Sequence, residues 1–457
     1  MQTQGIKYYI ALRPTPALRE IYNTDRYPYP QVQRYIAAHL DKLREKSFDV
    51  RALPSNDIDR DQKPVDPGRV PPVARFVVAL DIHDQQTVKA IQHAVETDKG
   101  TVFLGAGADL PFSGTDHWCP RSSNGSIFSD RLAAERLLGV PYVRDQQHLT
   151  GNGVNVVVVD QGLDQSLLGG SYGGGWQVGA VQPGTTKPAP GTAHRTHGMM
   201  IAANILKIAP DVKLFDLPMV PERITDIPDF FLSTADAAYA AMLASIKQYK
   251  MGTQFPGPWI IVNAWAVFDR KSESPPGDYT NNPNHPFNLL VGQVVDDGND
   301  VVFCAGNCGQ FCPDIRCGGN DQGPGNSVFG ANCHPKVLSV GAVRTDTIWL
   351  GYSSQGPGQP LLGHDKPDLC APSQFCETDD AFTTHGGTSA ACALAAGVVA
   401  ALRSRPNWHP SALPPQDLTA ILNGTATQTE GPKWSGRVGN GILNAEAAFK
   451  KLMSVLP

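Results

Sequence analysis

A predicted helix of small apolar residues places the strongest constraint on this chain. From Ala390 to Leu402 the sequence reads A-A-C-A-L-A-A-G-V-V-A-A-L, with no charge before Arg403 and a helix-ending proline at Pro406. A surface helix shows a polar face, so a helix that is apolar on every side has to be buried almost all round. The chain must therefore build a core that encloses this helix, and its 457 residues are enough to do so.

Ser389 directly precedes these residues, in the run G-G-T-S-A-A that begins at Gly386. A hydroxyl at a helix N-terminus is held on a rigid element, close to unpaired N–H groups and to the positive end of the helix dipole. Alone, this placement is more typical of an N-cap serine than of a catalytic nucleophile. A catalytic role requires an acid, a base and an oxyanion donor elsewhere in the chain.

Buried strands alternate with helices from residue 129 onward. The strands are mostly apolar runs, as expected of parallel strands that are covered on both faces. They are predicted at 154–159, 212–217, 260–262, 301–305 and 337–343, with helices at 197–208, 235–249 and 287–296. This alternation predicts an α/β fold, with a parallel sheet and helices on both of its faces.

The first hundred residues form a predicted unit of their own. Their order β-α-β-β-α-β is typical of a ferredoxin-like α+β domain. Strands are predicted at 6–12, 48–53, 74–82 and 101–104, helices at 29–46 and 84–97, and a polar, Pro-rich loop at 54–72. Residues 107–124 are rich in Gly, Ser and Pro, which favours a linker. We therefore expect a ferredoxin-like domain at 1–106, a linker at 107–128 and a second domain at 129–457.

Charge and hydropathy exclude some classes of partner. The net charge of −5 gives no basic surface, so nucleic acid is not expected. The longest uncharged apolar stretch is the helix after Ser389, which is too short to span a membrane. The N-terminus lacks the pattern of a secretory signal, so a cytoplasmic location is expected if Met1 is the natural start, with secretion as the alternative. The oligomeric state is not predicted.

The nine cysteines leave three alternatives open: buried free thiols, one or two loop disulfides, or a metal site. Five of them fall between Cys304 and Cys333. The spacings of Cys308, Cys312 and Cys317 are loose for zinc, which usually binds a C-x2-C knuckle. The pair Cys312 and Cys317 is the best disulfide candidate, because it closes the short loop C-P-D-I-R-C.

Three further polar residues lie at predicted strand ends or helix starts, where open α/β sheets bind their ligands. Asp160 ends the strongest strand, His197 opens a helix, and Asn307 follows the strand V-V-F-C. Each has an ordinary structural explanation, as a loop cap, a helix cap or a turn residue. Together with Ser389 they supply an acid, a base, an amide donor and a hydroxyl, which is a set suited to acyl transfer.

The motifs around these residues resemble those of the subtilisin-like serine proteases (subtilases, peptidase S8 family). Asp160 lies in D-x-G, and His197 in H-G-M-M-I-A, which is similar to H-G-T-H-V-A. Asn307 ends the motif A-G-N, and Ser389 lies in G-T-S-A-A, close to G-T-S-M-A. The similarity runs over residues 149–448 and includes V-L-S-V-G-A-V at 337–343 and G-N-G-I-L-N-A at 439–445.

This resemblance implies a subtilisin-like fold and a serine endopeptidase that acts on proteins or peptides. It implies that Asp160, His197 and Ser389 form the catalytic triad. The side-chain amide of Asn307 and the backbone N–H of Ser389 would form the oxyanion hole. No cofactor is required for such chemistry. Structural calcium is frequent in the family, but no acidic loop here is specific enough to assign a site.

By the same resemblance, the N-terminal domain would be a propeptide that assists folding and binds the cleft in cis, so that the chain would be a zymogen. Its long Pro-rich loop leaves a permanent regulatory or partner-binding domain as the alternative. A catalytically silent subtilase-fold protein that binds peptides is the alternative function. The complete catalytic set argues against silence, since inactive relatives of enzymes commonly lose one member.

Some residues depart from the family pattern. His194 is a competing base, but it lacks the glycine that follows His197. Met200 replaces the usual second histidine, and Gln161 replaces a Thr or Ser after the acid. Trp265, in V-N-A-W-A, stands in the substrate-binding strand where a small residue is usual. The side-chain preference of the family therefore does not carry over.

Overall fold

The computed structural model divides into two compact units, Met1–Gly114 and Thr115–Pro457. The residues it describes are 6–24, 28–40, 47–52, 76–108, 117–118, 127–177, 189–194, 196–220, 235–271, 273, 277–381, 383–431 and 433–456. Each unit is built around its own β-sheet. Cys119 lies outside the described residues.

The N-terminal unit contains a four-stranded antiparallel sheet. Its strands are β1 (Ile6–Leu12), β2 (Phe48–Ala52), β3 (Phe76–Ile82) and β4 (Phe103–Ala108), and its helices are α1 (Pro16–Thr24), α2 (Tyr29–Ala38) and α3 (Gln85–Thr97). The strand order is β2-β3-β1-β4. Alternate residues such as Ile10, Leu12, Val78 and Leu80 are buried, because one face of the sheet packs against the helices.

This unit differs from the expected one in detail. Helix α1 is an addition to the predicted order, and the helix predicted over 29–46 ends at Ala38 in a tighter turn. Residues 41–46 and the Pro-rich loop lie outside the described residues. Strand β4 extends to Ala108, two residues into the predicted linker. The ferredoxin-like assignment and the predicted domain boundaries stay predictions.

The second unit holds the larger sheet. The strands of this unit are β5 (His117–Trp118), β6 (Ser129–Asp130), β7 (Asn155–Asp160), β8 (Tyr172–Gly175), β9 (Lys213–Pro218), β10 (Trp259–Asn263), β11 (Asp300–Cys304), β12 (Leu338–Val343), β13 (Trp349–Leu350), β14 (Leu369–Pro372), β15 (Phe375–Cys376) and β16 (Thr384–His385). Strands β6, β15 and β16 form a separate three-stranded sheet. Its helices are α4 (Arg131–Leu137), α5 (Gln165–Leu168), α6 (His197–Ile208), α7 (Asp236–Met251), α8 (Pro286–Asp296), α9 (Gly387–Arg403), α10 (Pro415–Thr425) and α11 (Ala445–Val455).

Parallel strands form the centre of this sheet, in the order β8-β9-β7-β10-β11-β12-β14. Side chains of β7 alternate between two cores. Val156 and Val158 pack with α6 and α9, whereas Val157 and Val159 pack with α7 and α8. Helices therefore cover both faces, and the predicted α/β fold is confirmed. No helix in the described ranges is long and apolar enough to cross a membrane.

Helix α9 is buried along its whole length, as its composition requires. It begins at Gly387, whose φ of 70° is a left-handed conformation that favours glycine. It packs against α6 through Gly397, where an added Cβ would lie 3.0 Å from the Cβ of Ile208. The two helices that begin near His197 and Ser389 are thus in close contact.

A buried carboxyl group lies in β9 beside the end of β7. Oδ2 of Asp216 accepts hydrogen bonds from the N–H of Gly191 at 2.8 Å and of Leu163 at 3.0 Å. Its Oδ1 is enclosed and has no hydrogen-bond partner among the described residues. Burial raises the pKa of Asp216 to about 6, against the two hydrogen bonds, and the negative charge of Asp160 adds to this effect.

We expect Asp216 to make the stability of the protein depend on pH. The folded protein holds this proton more tightly than the unfolded chain, so the contribution of Asp216 to the free energy of unfolding is fully present below pH 4 and is lost as the pH rises through about 6. The variant D216N should lose this slope in urea titrations between pH 4 and 7, whereas D211N, at an exposed carboxyl, should keep it. Parallel curves for D216N and the unaltered protein would contradict the expectation.

Candidate active site

Asp160 and His197 form a hydrogen-bonded pair at the carboxyl end of β7. Asp160 is buried, and both of its carboxylate oxygens lie 2.9 Å from Nδ1 of His197. Burial opposes the charged imidazolium, but the charge of Asp160 and its hydrogen bond outweigh burial, so the pKa of His197 is raised. The positive charge of Arg316 acts in the opposite direction. This pair can hold the imidazole in one orientation and stabilise its protonated form.

The first turn of α6 is fixed against the loop that follows Asp160. Oγ1 of Thr196 donates to the carbonyl of Gly162 at 2.6 Å, and Oε1 of Gln161 accepts the N–H of His197 at 3.1 Å. An added Cβ on Gly198 would lie 2.6 Å from the same Gly162 carbonyl, which explains the need for glycine there. Gln161 thus satisfies a free N–H group at the helix start.

Ser389 lies in the first turn of α9, at the same edge of the sheet. Its Oγ donates to the carbonyl of Ala264 at 3.3 Å, and Ala264 directly follows β10, the neighbour of β7. Within the part of the chain that the structure describes, the ring of His197 bonds only to Asp160. The hydrogen bond between Ser389 and His197 is therefore not formed in this conformation. Such bonds often form only once substrate is bound.

Thr388 fixes the orientation of the Asn307 amide. Oδ1 of Asn307 accepts both the backbone N–H and the Oγ1–H of Thr388, each at 2.9 Å. Because the oxygen is held on that side, the Nδ2 donor is directed away from Thr388. Sequence reasoning missed this role of Thr388, although its place in the G-T-S motif beside Ser389 was a usable signal.

His194, the competing base, pairs with a different carboxylate. Its Nδ1 lies 2.5 Å from Oδ2 of Asp164, and its side chain is 77% exposed, compared with 35% for His197. Hydrogen bonds from Ser166 and then from His194 lower the pKa of Asp164 to about 2. His194 therefore belongs to a hydrogen-bonded pair with Asp164 in the loop after β7, whereas His197 contacts the acid at the strand end.

The predicted disulfide Cys312–Cys317 is wrong, because Cys317 is bonded to Cys308. The loop folds back on Asn307, whose carbonyl accepts the N–H of Asp314 at 2.9 Å, and this brings the Cα atoms of Cys308 and Cys317 to 5.7 Å. Six other described cysteines are not disulfide-bonded: Cys304, Cys312, Cys333, Cys370, Cys376 and Cys392. Among the described residues, no group of three or more His, Cys, Asp or Glu side chains is placed to hold a metal.

Trp265 points into the core instead of across the cleft. Its Nε1 donates to Oδ1 of Asn263 at 3.2 Å, and its ring packs against Phe287 and Phe303. Tyr239 donates to the same Asn263 oxygen. The bulky ring is thereby accommodated beside β10 and β11, on the face covered by α8, and its backbone borders the site.

A sequence model of the subtilase family matches residues 151–441, more than half of the chain. The chain belongs to the subtilase family. Subtilisin E of Bacillus subtilis (strain 168) is 25% identical over 341 residues, which cover 70% of this chain and 74% of the relative. Subtilisin of Bacillus pumilus is 25% identical over 313 residues, covering 66% and 93%.

Solved structures of similar fold include MycP1 from the ESX-1 type VII secretion system and a lanthipeptide protease. MycP1 is 21% identical with a TM-score of 0.47, covering 75% of this chain and 94% of its own. The lanthipeptide protease is 17% identical with a TM-score of 0.48, covering 71% and 100%. As a subtilase, the protein is a serine-type endopeptidase, and its substrates are proteins or peptides. Catalysis in this family needs no cofactor.

Proposed function

We propose that this subtilase hydrolyses peptide bonds through a triad of Asp160, His197 and Ser389, with an acyl-enzyme intermediate. The contact that supports this most directly is the pair of 2.9 Å distances between the Asp160 carboxylate and Nδ1 of His197. It leaves Nε2 of the ring as the nitrogen that can serve Ser389, at the start of the adjacent helix α9.

The proposed reaction divides into two acyl transfers. Oγ of Ser389 attacks the substrate carbonyl while Nε2 of His197 takes its proton, and the same nitrogen then protonates the leaving amine. Water repeats the sequence on the acyl-enzyme and releases Ser389. Asp160 keeps the proton of the neutral ring on Nδ1 and stabilises the imidazolium that forms in each step.

Two donors would stabilise the oxyanion that develops on the substrate carbonyl. One is Nδ2 of Asn307, whose orientation follows from the contact of its Oδ1 with Thr388. The other is the backbone N–H of Ser389, in the first turn of α9. In subtilisin, the loss of such an amide donor costs about 10²–10³ in kcat.

A catalytically silent, peptide-binding subtilase is the alternative, and the contact of Ser389 with Ala264 instead of His197 is the observation in its favour. We regard catalysis as the better supported function, because rotation of the Ser389 side chain about one bond redirects its hydroxyl. A binding protein also has no need of the buried Asp160 or of the Thr388 contacts that orient Asn307.

We also propose that the N-terminal domain, residues 1–106, restrains the peptidase domain, residues 129–457, and is joined to it by the linker 107–128, in which Ala108 ends β4 and His117–Trp118 form β5. The support is that residues within 1–114 form a compact unit with its own hydrophobic core. Such a unit can stay folded while it blocks a cleft and can be removed by cleavage in the linker. A permanent regulatory domain is the alternative.

A fluorophosphonate probe tests both proposals. The folded chain, cleaved afterwards in the linker, should form a covalent adduct on Ser389 that intact mass measurement detects, because the probe requires an activated serine. The uncleaved chain should react more slowly if the N-terminal domain covers the site. The variant S389A is the control and should not react. Absence of an adduct in both forms would contradict the enzyme, and equal rates would contradict the restraint.

The disulfide also bears on location. Cys308–Cys317 supports an oxidising compartment, since disulfides are rare in the cytosol. We therefore favour secretion, the alternative drawn from the sequence, over the cytoplasmic location.

A further inference from the structure

Two chain segments border the space beside Ser389. Residues 263–266 form one, and the carbonyl of Ala264 in it accepts the Ser389 hydroxyl. Residues 304–307 form the other and end in Asn307. If the substrate carbonyl lies between Oγ of Ser389 and Nδ2 of Asn307, the side chain on its acyl side enters the space between these two segments.

Asn332 links the two segments through hydrogen bonds. It lies in a short helical turn, Gly330–Cys333, and only 1% of its surface is exposed. Its Nδ2 donates to the carbonyl of Trp265 at 2.8 Å and to the carbonyl of Cys304 at 2.9 Å. Both amide hydrogens are therefore used, one on each segment, and the opposite orientation would place Oδ1 against two carbonyl oxygens.

The acceptor end of this amide remains available. Among the described residues, Oδ1 of Asn332 receives no hydrogen bond. The atom is not completely enclosed, so it can still be reached by a donor. A carbonyl oxygen of this kind has two lone pairs and is costly to leave unpaired when a ligand removes it from water. Asn332 thus offers one acceptor, in a fixed orientation, next to the space between the two segments.

We propose that Asn332 determines specificity, because its Oδ1 accepts a hydrogen bond from the side chain of the substrate residue that precedes the scissile bond. This inference rests on the proposed function. The charge of Arg270, which lies over the ring of Phe329, is compensated by its ion pair with Asp321. The Asn332 acceptor is itself a neutral amide and favours a neutral donor, so the expected side chains are the amides, Gln and Asn.

The test compares peptides that differ only at this residue, with Gln, Met and Glu as side chains of similar length. The unaltered enzyme should prefer Gln to Met by about tenfold in kcat/KM, since Met leaves Oδ1 unpaired. Glu should be cleaved less well again, because its carboxylate has no donor and repels Oδ1. In N332A the ratio of Gln to Met should fall to about one.

The matched control is N288A. Asn288 is also a buried asparagine whose Nδ2 donates to two backbone carbonyls, those of Tyr279 and Asn282, but it lies in α8 and bonds to neither of the two segments. Its replacement should lower stability and leave the ratio of Gln to Met unchanged. N288A therefore shows the effect of removing a buried amide alone, without removing a contact with substrate.

The peptide comparison and the fluorophosphonate labelling test different claims, the first the role of Asn332 and the second the catalytic triad. An equal fall of kcat/KM for all three peptides in N332A, with the ratio unchanged, would show a purely structural role and overturn the proposal. If N332A does not fold, equal cleavage of the Gln and Met peptides by the unaltered enzyme overturns it just as directly. Absence of fluorophosphonate labelling would instead contradict the triad itself.

Discussion

Replacement of His197 by alanine is expected to lower kcat by about 10⁶-fold, because loss of the base leaves Ser389 with a weakly nucleophilic hydroxyl. Replacement of His194 by alanine should leave kcat within about twofold. The two histidines are three residues apart, and each contacts an aspartate. The two variants therefore remove the same kind of side chain, and any difference in kcat comes from where that side chain lies. Steady-state kinetics on one peptide substrate measures both.

The opposite result, a large loss in H194A and a small one in H197A, would assign the base to the surface pair with Asp164. A similar large loss in both variants would point to damage to the shared loop before α6. Circular dichroism and thermal unfolding of each variant separate that case from a catalytic effect. Ser389 labelling in H194A should stay as fast as in the unaltered enzyme.

The variant D160N is expected to lower kcat by about 10⁴-fold and to shift the pH profile. An amide at this position favours the wrong tautomer of His197, so the base faces Ser389 with its proton. The charge of Asp160 also raises the pKa of His197, and the neutral ring is the active form. In the unaltered enzyme kcat/KM should therefore rise with pH through a value above 6.5, and in D160N this rise should move to lower pH.

The control is D164N, which removes the partner of His194 and should leave the rise in place. Rates measured between pH 5 and 9 for the three proteins report both the size of the loss and the position of the rise. A D160N profile with the same midpoint as the unaltered enzyme would contradict the assignment of Asp160 as the partner of His197.

The elements of the peptidase domain were predictable because their signals are local. The apolar runs that became β7, β9, β10, β11 and β12 are buried on both faces, and such runs differ from the rest of the sequence without reference to any distant contact. Helix α6 begins and ends at the predicted residues.

The side-chain network around the site was not predictable in the same way. The bond of Thr388 to Asn307 joins residues 81 positions apart, and the bonds of Asn332 reach Trp265 and Cys304 across 67 and 28 positions. The choice of Cys308 over Cys312 as the partner of Cys317 depends on how one loop folds back on Asn307. Each follows from the path of the backbone, which residue spacing does not determine.

The contact of Gly397 with Ile208 has a consequence for how this protein can change. Gly397 lies eight positions after Ser389, and Ile208 lies eleven positions after His197. The distance between the two helices at this contact nevertheless helps to set how far apart nucleophile and base lie. A single added methyl group there has to push one helix outward, because a helix moves as a rigid body. Variation at this remote position is therefore limited by the geometry of catalysis as well as by the packing of the core.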